Sequence, residues 1–286
     1  MELTNIKTIT NLLEEHGFEF KKSLGQNFLI NPSVCPKMAA LSGADKNTGV
    51  LEIGPGIGVL TKELCKVAKK VVAVEIDPRL PALLEKTLAD YDNITVVSGD
   101  ILKLDLKALF KEHFEGMDVL VCANLPYYIT SPVIMGLLEQ HLPIKSITVM
   151  VQKEAAQRIS ALPGTRACGA ISVAIRYYAT PEKGFSVSRG SFMPAPNVDS
   201  EVIKLNINKQ PPVSLKSEEM FFKTIKAAFS MRRKTLLNCF SKEFSISKES
   251  LTEILAEAGV SPTARAEELT IERFAKISDL LEGLVK

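Results

Sequence analysis

The chain is short of the residues that build most metal and redox sites. Among its 286 residues only three are histidines (His16, His113 and His141), and each is isolated. A zinc site needs clustered ligands, so none is expected, nor any other metal. The five cysteines (Cys35, Cys65, Cys122, Cys168 and Cys239) are scattered, with no CxxC pair. That usage fits a reduced compartment in which thiols act as small buried hydrophobes. No run of 18 apolar residues occurs, so no membrane-spanning helix and no membrane partner are expected. The first residues, with polar Glu2, Thr4 and Asn5, lack an apolar signal core, and the expected location is cytoplasmic. An excess of one charge is missing too: 35 basic against 33 acidic residues leave +2. Any nucleic-acid binding must therefore come from local patches. Internal repeats and low-complexity segments are also absent.

What is present is a 46% hydrophobic chain, ample for one large domain and a smaller one. Gln210-Pro211-Pro212 reads as a linker, which divides residues 1–209 from a helical segment, 210–286. Within the first part, short apolar runs alternate with helical patterns, the mark of an α/β fold with a parallel sheet. Ile6 to His16 suits an amphipathic helix ended by Gly17, and a polar, glycine-bearing loop with Lys21 and Lys22 follows.

Gly49-Val-Leu-Glu-Ile-Gly-Pro-Gly-Ile-Gly58 reads as a strand, a turn and the start of a helix. Glycines at such a turn let a ligand approach the backbone closely. The spacing is GxGxG, not the GxGxxG dinucleotide fingerprint, and no phosphate-binding lysine follows, which excludes a P-loop. Val71 to Glu75 is the next strand, ending in an acid about twenty residues after Gly54, where a carboxylate can accept hydrogen bonds from both ribose hydroxyls. Thr95 to Asp100 is a third strand ending in an acid. Asp100 suits an adenine amino group with Ile101 beneath the ring, or the N-cap of a helix over Ile101–Phe110; the two roles are compatible. Acids in place of a phosphate cradle favour an adenosine-shaped ligand without phosphate over NAD.

The fourth strand, Asp118 to Cys122, leads into Asn124-Leu-Pro-Tyr-Tyr128. An amide oxygen and a backbone carbonyl can both accept hydrogen bonds from an exocyclic amine, and a tyrosine ring can stack on the base that carries it. An ordinary strand exit punctuated by Pro126 reads equally well from these residues alone. Further on, Ser146–Val151 and Glu201–Ile207 read as strands, Lys153–Leu162 and Ala170–Tyr178 as helices, and Phe192-Met-Pro-Ala-Pro-Asn-Val-Asp-Ser200 as a stiff loop. Phe192 suits either a core position or one face of a base sandwich. In the helical segment, Met220 to Lys242 holds Lys223, Lys226, Arg232, Arg233, Lys234 and Lys242 and no acid. Such a run is either a solvated face or a phosphate contact. Ser261-Pro262 and Thr270 mark expected helix starts.

Taken together, these motifs resemble the small-subunit ribosomal RNA adenine N6,N6-dimethyltransferase family (KsgA in bacteria). Lys22-Ser-Leu-Gly-Gln-Asn-Phe-Leu29 is similar to the family's N-terminal cofactor motif, Glu52 to Gly58 to its glycine loop, and Asn124-Leu-Pro-Tyr127 to its catalytic motif. Phe192 to Ser200 resembles its target-base loop and Phe229-Ser-Met-Arg-Arg-Lys-Thr235 its C-terminal basic signature. One departure is Ala167-Cys168-Gly169, where the family has an aromatic before the glycine. The resemblance implies a class I S-adenosylmethionine-dependent methyltransferase (Rossmann-like), with a seven-stranded sheet whose last strand is antiparallel, plus a small all-α C-terminal domain. It implies S-adenosyl-L-methionine as cofactor and S-adenosyl-L-homocysteine as product. The site residues it implies are Asn27, Leu29, Gly54, Gly56, Glu75, Ile76, Asp100, Ile101 and Asn124 for the cofactor. Asn124, Leu125, Tyr127 and Phe192 fall to catalysis, and Lys223, Lys226, Arg232, Arg233 and Lys234 to RNA. The expected substrate is a pair of adjacent adenosines in the 3′-terminal hairpin of 16S rRNA within the pre-30S subunit, met by a monomer. The rival readings are an Erm-like 23S rRNA methyltransferase, a DNA N6-adenine methyltransferase, and an assembly checkpoint that binds RNA without turnover.

Overall fold

Hydrophobic periodicity switches repeatedly from two to about 3.6 along the first 200 residues, and the computed structural model shows what that switching builds. It describes residues 1–15, 17, 26–231 and 233–284. Lys22 to Gly25 of the N-terminal motif, Lys21, His16 and Arg232 lie outside the described residues. In chain order the elements are α1 (Ile6–Glu15), β1 (Phe28–Leu29), α2 (Val34–Ser42), β2 (Thr48–Ile53), α3 (Val59–Val67), β3 (Lys70–Glu75), α4 (Leu80–Thr87), β4 (Ile94–Ser98), α5 (Leu106–Phe114), β5 (Asp118–Asn124), α6 (Thr130–Glu139), β6 (Ile144–Gln152), α7 (Lys153–Ser160), α8 (Ala170–Tyr178), β7 (Ala179–Val187), β8 (Phe192–Met193), β9 (Ser200–Ile207), α9 (Glu218–Ala228), α10 (Leu236–Glu243), α11 (Lys248–Glu257) and α12 (Ile271–Glu282).

The main sheet has seven strands in the order β4-β3-β2-β5-β6-β9-β7. The pairs β3/β4, β2/β3, β2/β5 and β5/β6 are parallel, and the last strand, β9, runs antiparallel to β6. Central strands of such a sheet are covered on both faces and read as near-continuous apolar runs. Val50, Leu51, Val71, Val72, Val119 and Val121 are accordingly all buried. Strand order reverses at β2: the chain moves outward to β3 and β4, then returns to place β5 on the other side. Ligands of open α/β sheets bind at this kind of switch point, beyond the carboxyl ends of the strands.

Several local expectations change. Phe28–Leu29 is not loop but a short strand, paired antiparallel with Met193 and Phe192 of β8. Asp100 does not cap a helix: its Oδ1 accepts from the Leu102 amide at 3.0 Å in a turn, and the cap belongs to Asp105, which accepts from the Ala108 amide at 3.0 Å. Helix α11 is capped by Ser247, whose Oγ accepts from the Ser250 amide at 3.1 Å, and none of the described helices starts at Ser261-Pro262. The basic stretch is not one helix, because α9 ends at Ala228 and α10 begins at Leu236, leaving Arg233 and Lys234 exposed in the turn.

Packing divides the chain into two compact units, Met1–Ala156 with Pro181–Ile207, and Gln157–Thr180 with Asn208–Lys286. The linker expected at residue 210 falls near one crossing, but α8 joins the C-terminal helices. Its aromatic end explains this. Tyr178 stacks on Phe222 with ring centroids 5.3 Å apart, Tyr177 packs on Phe221 at 5.3 Å, and both hydroxyls reach Glu218. Phe229 against Phe274 and Phe240 against Phe244 extend this apolar centre. Cys168 is buried just before α8, its amide bonded to the Thr165 carbonyl at 2.9 Å.

All five cysteines are free and buried. Burial pushes the Cys65 thiol up to about 12 and holds those of Cys35 and Cys122 well above the usual thiol range. Among the described residues no helix is long and apolar enough to cross a membrane.

Candidate active site

At the switch point the ends of β2, β3, β4 and β5 and the entering ribbon strand β1 enclose a cavity of about 250 Å³. Each wall follows from a local feature of the chain. Gly54 and Gly56 turn the backbone away from β2 with φ of +68° and +58°, values that side-chain-bearing residues rarely adopt. A Cβ on Gly56 would also stand 3.2 Å from the Phe28 ring. The turn thus offers bare backbone to a ligand, and Phe28 keeps it so.

Glu75 ends β3 and is buried. Its Oε1 accepts from the Asp77 amide at 2.8 Å and its Oε2 from the Gly56 amide at 3.4 Å. Burial raises its pKa, and those amide hydrogen bonds pull it back down. An ionised carboxylate has about four acceptor positions, so capacity remains for ribose hydroxyls beside these amides. Behind Glu75, the buried Asp77 accepts from Arg79 Nε at 2.9 Å and Gln26 Nε2 at 2.8 Å. Chiefly through Arg79, its pKa is lowered to about 2. This clamp ties the segment entering β1 to the β3 exit, and nothing in the spacing of Gln26 and Asp77 announced it. Asp100 and buried Ile101 also line the cavity, with the exposed side chains of Ile76 and Leu102.

All nine residues expected at the cofactor line this one cavity: Asn27, Leu29, Gly54, Gly56, Glu75, Ile76, Asp100, Ile101 and Asn124. The catalytic set is more divided. Asn124 is the last residue of β5, half-buried on the cavity wall, and Pro126 lines the wall beside it. Leu125 is 1% exposed, its side chain in the core. Tyr127 opens a tight turn over Tyr127–Ile129, and its hydroxyl lies 2.8 Å from Ser200 Oγ. For Phe192 the sequence left a core position and a base-stacking role open. At 3% exposure it is a core residue, because pairing with Leu29 in the ribbon packs it among Leu29, Val187 and Val202. Tyr128, the second aromatic of the motif, is 59% exposed and lines the cavity.

Glu52 is a further residue that the motif contained but the sequence reading did not single out. A glutamate inside the apolar run Val-Leu-Glu-Ile was the available signal. It lines the cavity fully buried, and its Oε2 has no hydrogen-bond partner. Burial above all, then the charge of Glu75, holds its pKa up at about 8, against an ordinary 4.5. Burial thus favours the protonated form of this carboxyl. Because the folded state holds this proton more tightly than the unfolded chain, the stabilisation is complete below pH 4.5 and is lost as pH rises through about 8. A tenfold tighter hold on a proton corresponds to roughly 1.4 kcal/mol. Glu52→Gln should flatten the fall in stability between those limits, as read from urea unfolding at several pH values. Parallel curves for parent and variant would show that the group titrates normally.

In unit two, Lys223, Lys226, Arg233 and Lys234 are exposed. The Lys223 ammonium lies 5.5 Å from the centroid of the Phe244 ring, a cation–π arrangement that fixes its stem while leaving it in solvent.

Comparison with known proteins agrees with this geometry. A family model described as ribosomal RNA adenine dimethylase matches residues 17–282. A protein named ribosomal RNA small subunit methyltransferase A, from Geobacillus sp. (strain WCH70), is 48% identical over 278 residues, covering 96% of each chain. Among solved structures, a dimethyladenosine transferase from Plasmodium falciparum superposes with a TM-score of 0.73 at 27% identity, covering 87% of this chain and 95% of that one. The 23S rRNA methyltransferase ErmE superposes with a TM-score of 0.67 at 25% identity, covering 90% and 100%. A sheet with its last strand antiparallel, a cavity at its switch point and a family match over nearly the whole length lead to one conclusion: the chain belongs to the ribosomal RNA adenine dimethylase family.

Proposed function

We propose that this protein uses S-adenosylmethionine to dimethylate N6 of two adjacent adenosines in the 3′-terminal hairpin of 16S rRNA, acting as a monomer on the pre-30S subunit. The observation that carries the reading is the position of Asn124. It stands on the wall of a cavity whose other walls bear bare glycine backbone, Glu75 and Asp100. Those residues suit the cofactor: Gly54 and Gly56 for its methionine end, Glu75 for the ribose, Asp100 with Ile76 and Ile101 for the adenine, and Asn27 and Leu29 as cover. When bound, S-adenosylmethionine supplies a methyl group already activated on a sulfonium.

What remains for the protein is mostly positioning. The N6 lone pair of adenine is delocalised into its ring and is a poor nucleophile as it stands. The Asn124 side-chain oxygen and the Leu125 carbonyl, accepting the N6 hydrogens, favour a pyramidal nitrogen and release the lone pair. The nitrogen becomes cationic on methylation and sheds its proton readily, so no dedicated base is required. For the second transfer only one N6 hydrogen is left, and the pocket must accept a methyl where a donor was. Tyr127 stacks on the extruded base, with its ring oriented by Ser200. Phe192 can join it only if its side chain leaves the core position described above.

Residues 1–209 form the cofactor and catalytic domain in this reading, and 210–286 the helical RNA-binding domain. Arg233 and Lys234, exposed in the turn between α9 and α10, contact phosphates together with Lys223, Lys226 and Arg232. Replacing Arg232, Arg233 and Lys234 with alanine should weaken RNA binding and reduce the log–log salt slope by roughly 0.7–0.9 for each phosphate that the variant no longer neutralises. An unchanged slope returns the stretch to a solvated surface.

Similarity to ErmE favours one second reading, methylation of 23S rRNA. Labelled-methyl incorporation into small subunits, large subunits and DNA separates the possibilities. Incorporation at adenine N6 in small subunits is expected, and incorporation confined to large subunits would replace this assignment with the second.

A further inference from the structure

Three aromatic side chains are candidates for holding a nucleobase near Asn124, and the fold presents them unequally. Phe192 is packed in the core of the β1/β8 ribbon. Tyr127 is half-buried and tethered through its hydroxyl to Ser200. Tyr128 alone of the three both lines the cavity and stands largely in solvent. Its backbone is held in the turn closed by the Ile129 amide on the Pro126 carbonyl at 3.2 Å, and α6 follows directly. The ring therefore stands on a fixed backbone, in the cavity that the residue assigned to the amine also lines. Ile76 and Leu102, also exposed and apolar, line the same cavity.

We propose that Tyr128 is a substrate-positioning residue whose ring stacks on a purine base of the RNA as that base is brought over Asn124. The inference rests on the adenine-methylation reading above and adds to it a contact on the RNA side of the cavity. Stacking on an aromatic face tolerates any base, so Tyr128 contributes grip and orientation, while Asn124 recognises the amine. The phenol hydroxyl has no part in this, so phenylalanine should serve as well.

The experiment compares the parent protein with Tyr128→Ala and Tyr128→Phe, by calorimetric titration with S-adenosylmethionine and by single-turnover methyl transfer across a range of small-subunit concentrations. Tyr128→Ala should raise the half-saturating subunit concentration roughly five- to a hundredfold, equivalent to ~1–3 kcal/mol for one stacked base. Its cofactor affinity should stay within about twofold of the parent's, and Tyr128→Phe should restore RNA saturation. Weakened cofactor binding by Tyr128→Ala, with RNA saturation unchanged, would make the ring a wall of the cofactor cavity and overturn the proposal. So would an alanine variant that behaves like the parent in both assays. If the parent itself transfers no methyl to small subunits, the underlying reading fails, and this inference goes with it.

Discussion

Asn124→Ala should lose methyl transfer while keeping most of its affinity for S-adenosylmethionine. The residue is one of many lining the cavity, so its truncation removes little of the cofactor's contact surface. For the target amine the situation is the reverse. The side-chain oxygen is one of only two acceptors assigned to the N6 hydrogens, and its contribution grows as the nitrogen pyramidalises and gains charge. Interactions of that kind, stronger in the transition state than in the ground state, lower kcat when removed. A single preorganised polar group of this type is commonly worth about 10²–10³ in rate, which sets the minimum loss expected. Single-turnover transfer to small subunits measures the loss, and calorimetry with the cofactor provides the control. Near-normal turnover by the variant would remove Asn124 from the mechanism.

The second large effect is expected at Glu75. Its two oxygens already accept from the Asp77 and Gly56 amides, so the carboxylate is fixed in place before any ligand arrives. The same carboxylate lines the cavity that the ribose is to enter. Hydrogen bonds to a charged group contribute roughly 1.5–3 kcal/mol each. Loss of both ribose contacts in Glu75→Ala should weaken cofactor binding by about 10²-fold or more. Glu75→Gln should be intermediate, because its amide keeps one acceptor oxygen but turns an N–H toward an amide donor. Burial raises the pKa of Glu75, and the ribose hydroxyls donate only to the ionised form with full strength. Affinity should therefore fall as pH drops through that raised value. Cofactor titration at several pH values, with thermal unfolding to confirm that the variants fold, tests both points. An unaltered affinity in Glu75→Ala would place the ribose elsewhere.

As a member of its family the protein is an S-adenosylmethionine-dependent RNA methyltransferase, and the contributions of sequence and fold to that conclusion differ in kind. Strand ends were legible because their chemistry is local. A buried parallel strand is a continuous apolar run, and the polar residue that follows it must stand at the carboxyl edge of the sheet. Gly54, Glu75, Asp100 and Asn124 could thus be identified one strand at a time. Their convergence needed no more than parallel pairing and the reversal at β2. Motif order supplied the family, and with it the antiparallel last strand.

Other properties depend on what distant segments do to one another, and these only the tertiary structure decided. Pairing of Phe28–Leu29 with Phe192–Met193 joins residues more than 160 positions apart, and it puts Phe192 in the core. The Gln26–Asp77–Arg79 clamp and the raised pKa of Glu52 arise from burial and from partners that no local window contains. The aromatic end of α8 joins the C-terminal helices for the same reason, since its stacking partners lie more than 40 residues ahead. Tyr127 and Tyr128, adjacent and identical in the sequence, are separated only by the fold: the turn ties one to Ser200 and leaves the other at the mouth of the cavity. Side-chain identity determined which chemistry was available, and burial and long-range pairing determined which side chains can perform it.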